Sequence, residues 1–249
     1  PIKGDGVKVQ VGTLLNSLNN APVSFWPANT ALNQMNVGVV GDLGTGKTQF
    51  LKGLIHGLRK ETSVKQPGKA LSFLIFDYKN DYADEEFVDS VGAHVLKPKK
   101  IPLSIFPSYD GYSEDDAFEK SKSFAAVLSK IYPGVGPVQI ENLTMAIENV
   151  YVSKNGKAPF LSEILNAYKT IISGKADSVS SILRDFVGLK IFSEDETELM
   201  SFEELIGDKV LVVALNELGA DARTQNSVVV MFLDFYYEYM LKTEKSKYV

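Results

Sequence analysis

Apolar positions along the chain follow two rhythms. Mostly apolar runs at residues 37–40, 70–76 and 209–215 predict buried strands, and the alternation at 7–11 predicts a short half-exposed one. Between the first two runs, residues 47–60 carry Phe50, Leu51, Leu54, Ile55 and Leu58 at helical spacing. Gly41 ends the first run, and a glycine-rich loop leads from it into the helix. Strand, glycine loop, helix and strand make a βαβ unit, whose crossover implies parallel neighbours. Residues 13–20 suggest a helical turn. Residues 22–36 read as a loop with an extended piece at Val23 to Trp26, and 66–68 as a turn.

The middle of the chain changes character. Ala93 to Leu96 and Ile101 to Phe106 are short extended pieces, kept short by Pro98 and Pro102. Helices follow. Ser113 caps one that carries Phe118, Phe124, Val127, Leu128 and Ile131, and Pro137 opens another with Ile140, Leu143, Ile147 and Val150 inward. Residues 160–172 and 178–189 predict two more, and Ser201 to Glu204 has capping-box spacing. Residues 224–241 form a closing helix. The expected organisation is a lead-in at 1–35, a glycine-loop core at 36–107, a helix-rich insertion at 108–205, and a return strand with its helix at 206–249. The fold class that follows is α/β, a parallel sheet flanked by helices with a helical insertion in the middle.

Composition narrows this picture. The 249 residues are 45% hydrophobic and 23% charged, which suits a globular chain with a sizeable core. The sequence has no cysteine, so disulfides and thiolate metal sites are excluded, and a reducing compartment is compatible. A net charge of −5 is the opposite of a protein that coats itself with nucleic acid, so any such contact needs a local basic surface. Residues 1–5 lack a targeting pattern, and the most apolar stretch, 228–241, is interrupted by Asp234 and Glu238. The expectation is therefore a cytoplasmic protein with no membrane span. The missing initial Met and the abrupt ending suggest a fragment of a longer polypeptide.

One motif carries specific chemistry. Gly41-Asp42-Leu43-Gly44-Thr45-Gly46-Lys47-Thr48 fits the phosphate-loop pattern G-x-x-x-x-G-K-[ST] in full, with Gln49 next in the helix. Glycines let backbone N–H groups point inward, the helix start adds its positive dipole end, Lys47 reaches the β- and γ-phosphates, and Thr48 offers its hydroxyl to Mg²⁺. By average residue usage such a string arises by chance in roughly 1% of chains this long, and the flanking strand and helix patterns meet its context. The expected ligands are ATP and Mg²⁺. A guanine-binding Asn-Lys-x-Asp string is absent, and Asp89 to Gly92 matches Asp-x-x-Gly without a preceding strand, which sets a GTPase low.

Phosphoryl transfer also asks for carboxylates. Asp77 ends a predicted strand and is a candidate for the metal shell or a catalytic contact, with a loop acid as the equal alternative. Glu217 follows Asn216 at another strand exit, and a surface acid there outweighs a catalytic one. No apolar run ends in an Asp-Glu pair. Arg223 reads as a helix-start arginine before an arginine finger, Trp26 as a core or interface residue before a stacking platform, and the lysines at 97, 99 and 100 as a solvated loop before a phosphate contact. His56 and His94 are isolated in sequence.

The stretch from Asn36 through Gln49 resembles the opening of the HerA/FtsK-type DNA-translocating ATPases. So do Phe73 to Tyr82, with an aspartate and then a short polar stretch, and Ile101 to Phe106, where Ser104 stands for an expected asparagine. Residues 210–218 resemble the strand before that family's Walker B strand. The resemblance spans about residues 23–241 and is nearest to the HerA-like ATPase component of phosphorothioation-dependent DNA restriction systems. It implies a RecA-like core, a homo-oligomeric (hexameric) ring, double-stranded DNA in the channel, and a nuclease partner. It also implies that the Asp-Glu strand lies beyond residue 249, so that Glu217 is not the catalytic acid. The alternative is a nucleotide-binding regulatory or scaffold module that does not hydrolyse.

Overall fold

The computed structural model describes residues 7–15, 19–27, 36–65, 70–111, 113–219 and 221–242, and these fall into two compact units. Unit one spans residues 1–96 and 206–214; unit two spans 97–205 and 215–249. The turn expected at 66–68 and residues 16–18 of the helical turn expected at 13–20 lie outside the described residues; of the others, Thr13 ends a strand, and Leu14, Leu15, Asn19 and Asn20 are not helical.

In unit one, β1 (Val9–Thr13) and β2 (Pro22–Phe25) form an antiparallel hairpin, with Val9 opposite Phe25 and a bulge between Gln10 and Gly12. The hairpin lies on α1 (Lys47–Lys65). Gly57 permits the close approach, because a Cβ there would sit 2.6 Å from a Val9 methyl. After α1 come β3 (Phe73–Asp77), α2 (Glu85–Val91) and β4 (Ala93–Leu96), and β5 (Val210–Ala214) returns late in the chain. The three strands are parallel in the order β3-β5-β4, with Phe73 and Ala93 both opposite Val210. All five residues of β5 are buried, as expected for a central strand with both faces covered. Val210 and Val212 pack with Phe87 and Val91 of α2, and Ile55, Phe73, Ile75, Ala93 and Val95 close around them.

One expected strand is missing. Among the described residues, 36–40 pair with no strand, and Val37 and Val40 are 55% and 96% exposed. Apolar composition makes such a run fit for burial, but a strand exists only where its amides and carbonyls meet a neighbour. Here the described pairing of β3 is given to β5. Conversely, α2 was not expected. Asp84 caps it by accepting from the Phe87 N–H, Glu85 and Glu86 sit at its positive end, and Gly92 closes it at φ 62°. Asp89 and Gly92, noted above for the Asp-x-x-Gly pattern, are therefore the last turn and cap of a helix.

Unit two is helical. It holds α3 (Glu114–Ile131), α4 (Pro137–Ser153), α5 (Leu161–Ile171), α6 (Ser178–Leu189), most of α7 (Phe202–Ile206) and α8 (Ala222–Lys242). Two of its caps are the expected ones, Ser113 on α3 and Ser201 with Glu204 exchanging hydrogen bonds at α7, and Asp177 caps α6. Leu128, Leu143, Ile147, Ile164, Tyr168 and Leu183 are fully buried in its core. Of the segment expected to be extended at 101–106, only Ile101 pairs, in a parallel bridge to Phe192; the rest bends, with Leu103, Ile105 and Phe106 buried. The closing helix α8, placed with the core by sequence, packs on α3, where Lys120 reaches Glu238 at 2.5 Å and Asp234 at 3.5 Å. Among the described residues no helix is long and apolar enough to cross a membrane.

Candidate functional site: a glycine loop at the start of α1

Residues 41–48 form a tight loop that runs into the first turn of α1. Two glycines take the left-handed backbone, Gly44 at φ 80° and Gly46 at φ 82°. An L-residue there would be strained by about 1–2 kcal/mol. Gly41 is needed for a different reason: a Cβ would lie 2.7 Å from the Thr45 hydroxyl. That hydroxyl donates to the Asp42 carbonyl at 2.8 Å and cross-braces the loop.

Lys47 folds back over the loop and donates to the carbonyls of Gly41 at 2.7 Å and Asp42 at 2.6 Å. Its ammonium is thus held above the loop rather than extended into solvent. The first intrahelical bond runs from Phe50 N–H to Gly46 C=O at 2.8 Å. Among the described residues the N–H groups of Gly46, Lys47, Thr48 and Gln49 have no acceptor, as at any helix start without a side-chain cap. Free amides, a helix dipole and a poised ammonium together suit a polyanion, and a phosphate chain matches all three. Thr48 stands at the second helical position, and Leu43 at the loop tip is fully exposed.

Asp77 ends β3 and is only 2% exposed. Its carboxylate is turned into its own loop. One oxygen accepts from Lys79 N–H at 3.1 Å and Asp81 N–H at 3.0 Å, and the other from Tyr82 N–H at 2.8 Å. The loop it gathers, which includes Asn80 at φ 65°, delivers Tyr82 edge-on to Phe87 at 5.5 Å. Burial, and then Asp77 and Asp81, push the Tyr82 hydroxyl above its ordinary pKa. Lys52 of α1 lies over both rings, 5.8 and 5.6 Å from their centres, and pairs with Asp84. The Lys52 hydrogen bond, then the Phe87 amide, hold the Asp84 carboxyl below the usual carboxylate range. Lys52, Tyr82 and Asp84 thus join the helix behind the glycine loop to the loop after β3. Sequence reading missed this set, although Asp84 before two glutamates and Gly92 was a readable helix signature.

The remaining candidates fall in unit two or at the hairpin. Glu217 sits in a 3₁₀ turn (Leu215–Leu218), exposed, 3.5 Å from Lys97. Gln225 ties that turn to α8 through the carbonyls of Leu215 and Gly219. The side-chain oxygen of Asn216 is buried with no donor among the described residues. Arg223 is exposed in the first turn of α8. Lys97, Lys99 and Lys100 are exposed, and Lys100 N–H donates to Lys190 C=O at 2.6 Å. Trp26 packs under the Lys8 ammonium at 4.3 Å.

No family model matches the chain, and no curated protein matches it in sequence. Among solved structures, VirB4 of Thermoanaerobacter pseudethanolicus shares its fold, with a TM-score of 0.56 at 13% identity. The match covers 81% of this chain and 55% of that one, so the chain spans little more than half of its neighbour's length. At this identity the likeness is one of fold alone. Together with the parallel sheet and the glycine loop opening α1, it makes the fold that of RecA-like P-loop proteins.

Proposed function

We propose that this chain binds ATP with Mg²⁺ on the loop from Gly41 to Thr48, as the nucleotide-binding domain of a DNA-translocating motor. The observation that carries the nucleotide reading is the loop itself. Two glycines in left-handed backbone, unpaired helix-start amides and the back-folded Lys47 ammonium converge on one exposed cradle. With ATP bound, Lys47 would give up the Gly41 and Asp42 carbonyls for the β- and γ-phosphates, and the amides of residues 44–48 would hold the remaining oxygens. The Thr48 hydroxyl would hold Mg²⁺, which would supply neutralisation of the phosphate charge. Leu43 and Gln49 flank the cradle. The motor reading, with double-stranded DNA as substrate, a homo-oligomeric ring, a nuclease partner and a role in restriction or repair, rests on the HerA/FtsK resemblance of the quoted segments.

The alternative is a module that binds nucleotide without hydrolysing it. Two observations favour it for the chain taken alone. Asp77 gives its carboxylate to three amides of its own loop, and Glu217 is an exposed acid paired with Lys97. Phosphate release from ATP and Mg²⁺, measured with and without duplex DNA, separates the two. The motor reading expects slow turnover in the isolated chain that rises with duplex. Turnover at the background rate under both conditions leaves the binding module.

A further inference from the structure

A second polar site lies on unit one, away from the residues of the glycine loop. His56, Arg59, Lys60 and Ser63 of α1 and Ser90 and Val91 of α2 line an open groove of about 240 Å³. Positions 56, 59, 60 and 63 follow the i, i+3, i+4, i+7 pattern, so one helix face presents all four. Arg59 is fixed. Its guanidinium donates to the carbonyls of Leu71 at 2.9 Å and Asp208 at 2.8 Å, which leaves further N–H groups for a ligand. His56 and Lys60 are exposed, and among the described residues neither has an ion-pair partner. Ser90 already donates to Phe87 C=O at 2.9 Å, so its oxygen keeps acceptor capacity, while Ser63 is exposed beside the lysine.

We infer that this groove binds the phosphodiester backbone of nucleic acid. On a chain of net charge −5, a walled groove with three basic side chains and no lining carboxylate is a local exception. A rigid guanidinium, a mobile ammonium and the Ser63 hydroxyl are the donor set for phosphate oxygens. The groove opens to solvent, which suits an exposed backbone laid across it rather than an enclosed small molecule. The contacts carry no base-reading group, so binding is independent of sequence. The choice of duplex DNA as occupant rests on the motor reading above; the phosphate chemistry does not.

The test is fluorescence anisotropy of a labelled duplex with the full chain, from 50 to 200 mM salt, for wild type and His56→Ala/Lys60→Ala. Arg59 is left in place because it holds Leu71 and Asp208, and thermal unfolding checks that the variant is folded. The inference expects a loss of about tenfold in affinity at low salt and a salt slope flatter by about 1–2, near one per removed phosphate contact. Equal affinity and slope in the two proteins would overturn it while leaving the motor reading intact. If wild type binds no duplex at all, both the occupant and the motor's substrate fall. A pyrophosphate titration forms the second arm. A second pyrophosphate site, beyond the one at the glycine loop, that is lost in the variant with no duplex binding in either protein would assign the groove to free phosphates and overturn the backbone as occupant.

Discussion

Asp77 offers the sharpest test of what holds the site together, because two roles for it predict opposite results. As a loop organiser, its removal strands three amides: those of Lys79, Asp81 and Tyr82, now bonded at 3.1, 3.0 and 2.8 Å. A hydrogen bond to a charged acceptor contributes about 1.5–3 kcal/mol, and the contributions are not additive. The loop amides regain part of this from water, so Asp77→Ala is expected to cost about 2–4 kcal/mol. At about 2–4 °C per kcal/mol for a chain of this size, the unfolding midpoint falls by about 4–16 °C. Asp77→Asn keeps an oxygen for Lys79 and Asp81 but turns an NH₂ toward the Tyr82 N–H, and is expected to lose about half as much. Scanning calorimetry measures both. At a temperature where each variant is folded, ATP affinity in Mg²⁺ stays within about threefold of wild type, or about 0.7 kcal/mol. An unchanged midpoint together with a tenfold loss of Mg²⁺-dependent ATP affinity would refute this reasoning and put Asp77 in the metal shell.

Other expected outcomes follow from the same geometry. Glu217→Gln removes one half of an exposed pair and should change unfolding stability by less than about 0.5 kcal/mol in urea titrations, with phosphate release unaltered; a collapse of turnover would make Glu217 a catalyst. The Asp177 carboxyl, which caps α6, is held below the usual carboxylate range: burial pushes it up, but the Ser180 amide and the Tyr168 and Ser180 hydroxyls outweigh that. Its folded pKa being depressed, the stability it contributes is full above about pH 4 and drains away as pH falls below that. Asp177→Asn should therefore flatten the acid limb of a stability-against-pH curve, and an unchanged limb would count against the cap. Lys120, 8% exposed and shared by Glu238 and Asp234, should cost about 1–3 kcal/mol when replaced by Met in wild type, and much less once both acids are neutralised.

What could be read from sequence, and what could not, divides along physical lines. Helices announce themselves locally. Ser113, Pro137 and the Ser201 and Glu204 pair mark starts within a few residues of each helix, and all of them cap or open helices in the structure. The glycine loop was legible for a similar reason, since Gly41, Gly44, Gly46 and Lys47 act within eight positions of one another. Strand pairing is not local. The run at 37–40 has the composition of a buried strand, yet nothing in its own residues supplies a partner, and Val40 stands almost wholly exposed. Seven-residue α2 is too short for periodicity to show, so only its caps could have revealed it. The Lys52–Asp84 pair joins residues 32 positions apart and Lys120–Glu238 residues 118 apart, and no pattern along the chain encodes either. Asp77 shows the limit most plainly: its place at the end of β3 was legible, but the direction of its carboxylate depends on the turn that follows.

The account stands on the cradle between Gly41 and Thr48, and isothermal titration of ATP with Mg²⁺ into wild type and Lys47→Ala tests it most directly. Saturable binding to wild type is expected at one nucleotide per chain. With the ammonium gone, affinity should fall by a hundredfold or more, about 2.7 kcal/mol or above, while the unfolding midpoint stays near that of wild type. Wild type that takes up no heat with ATP, or a Lys47→Ala variant that binds as tightly as wild type, would contradict the account.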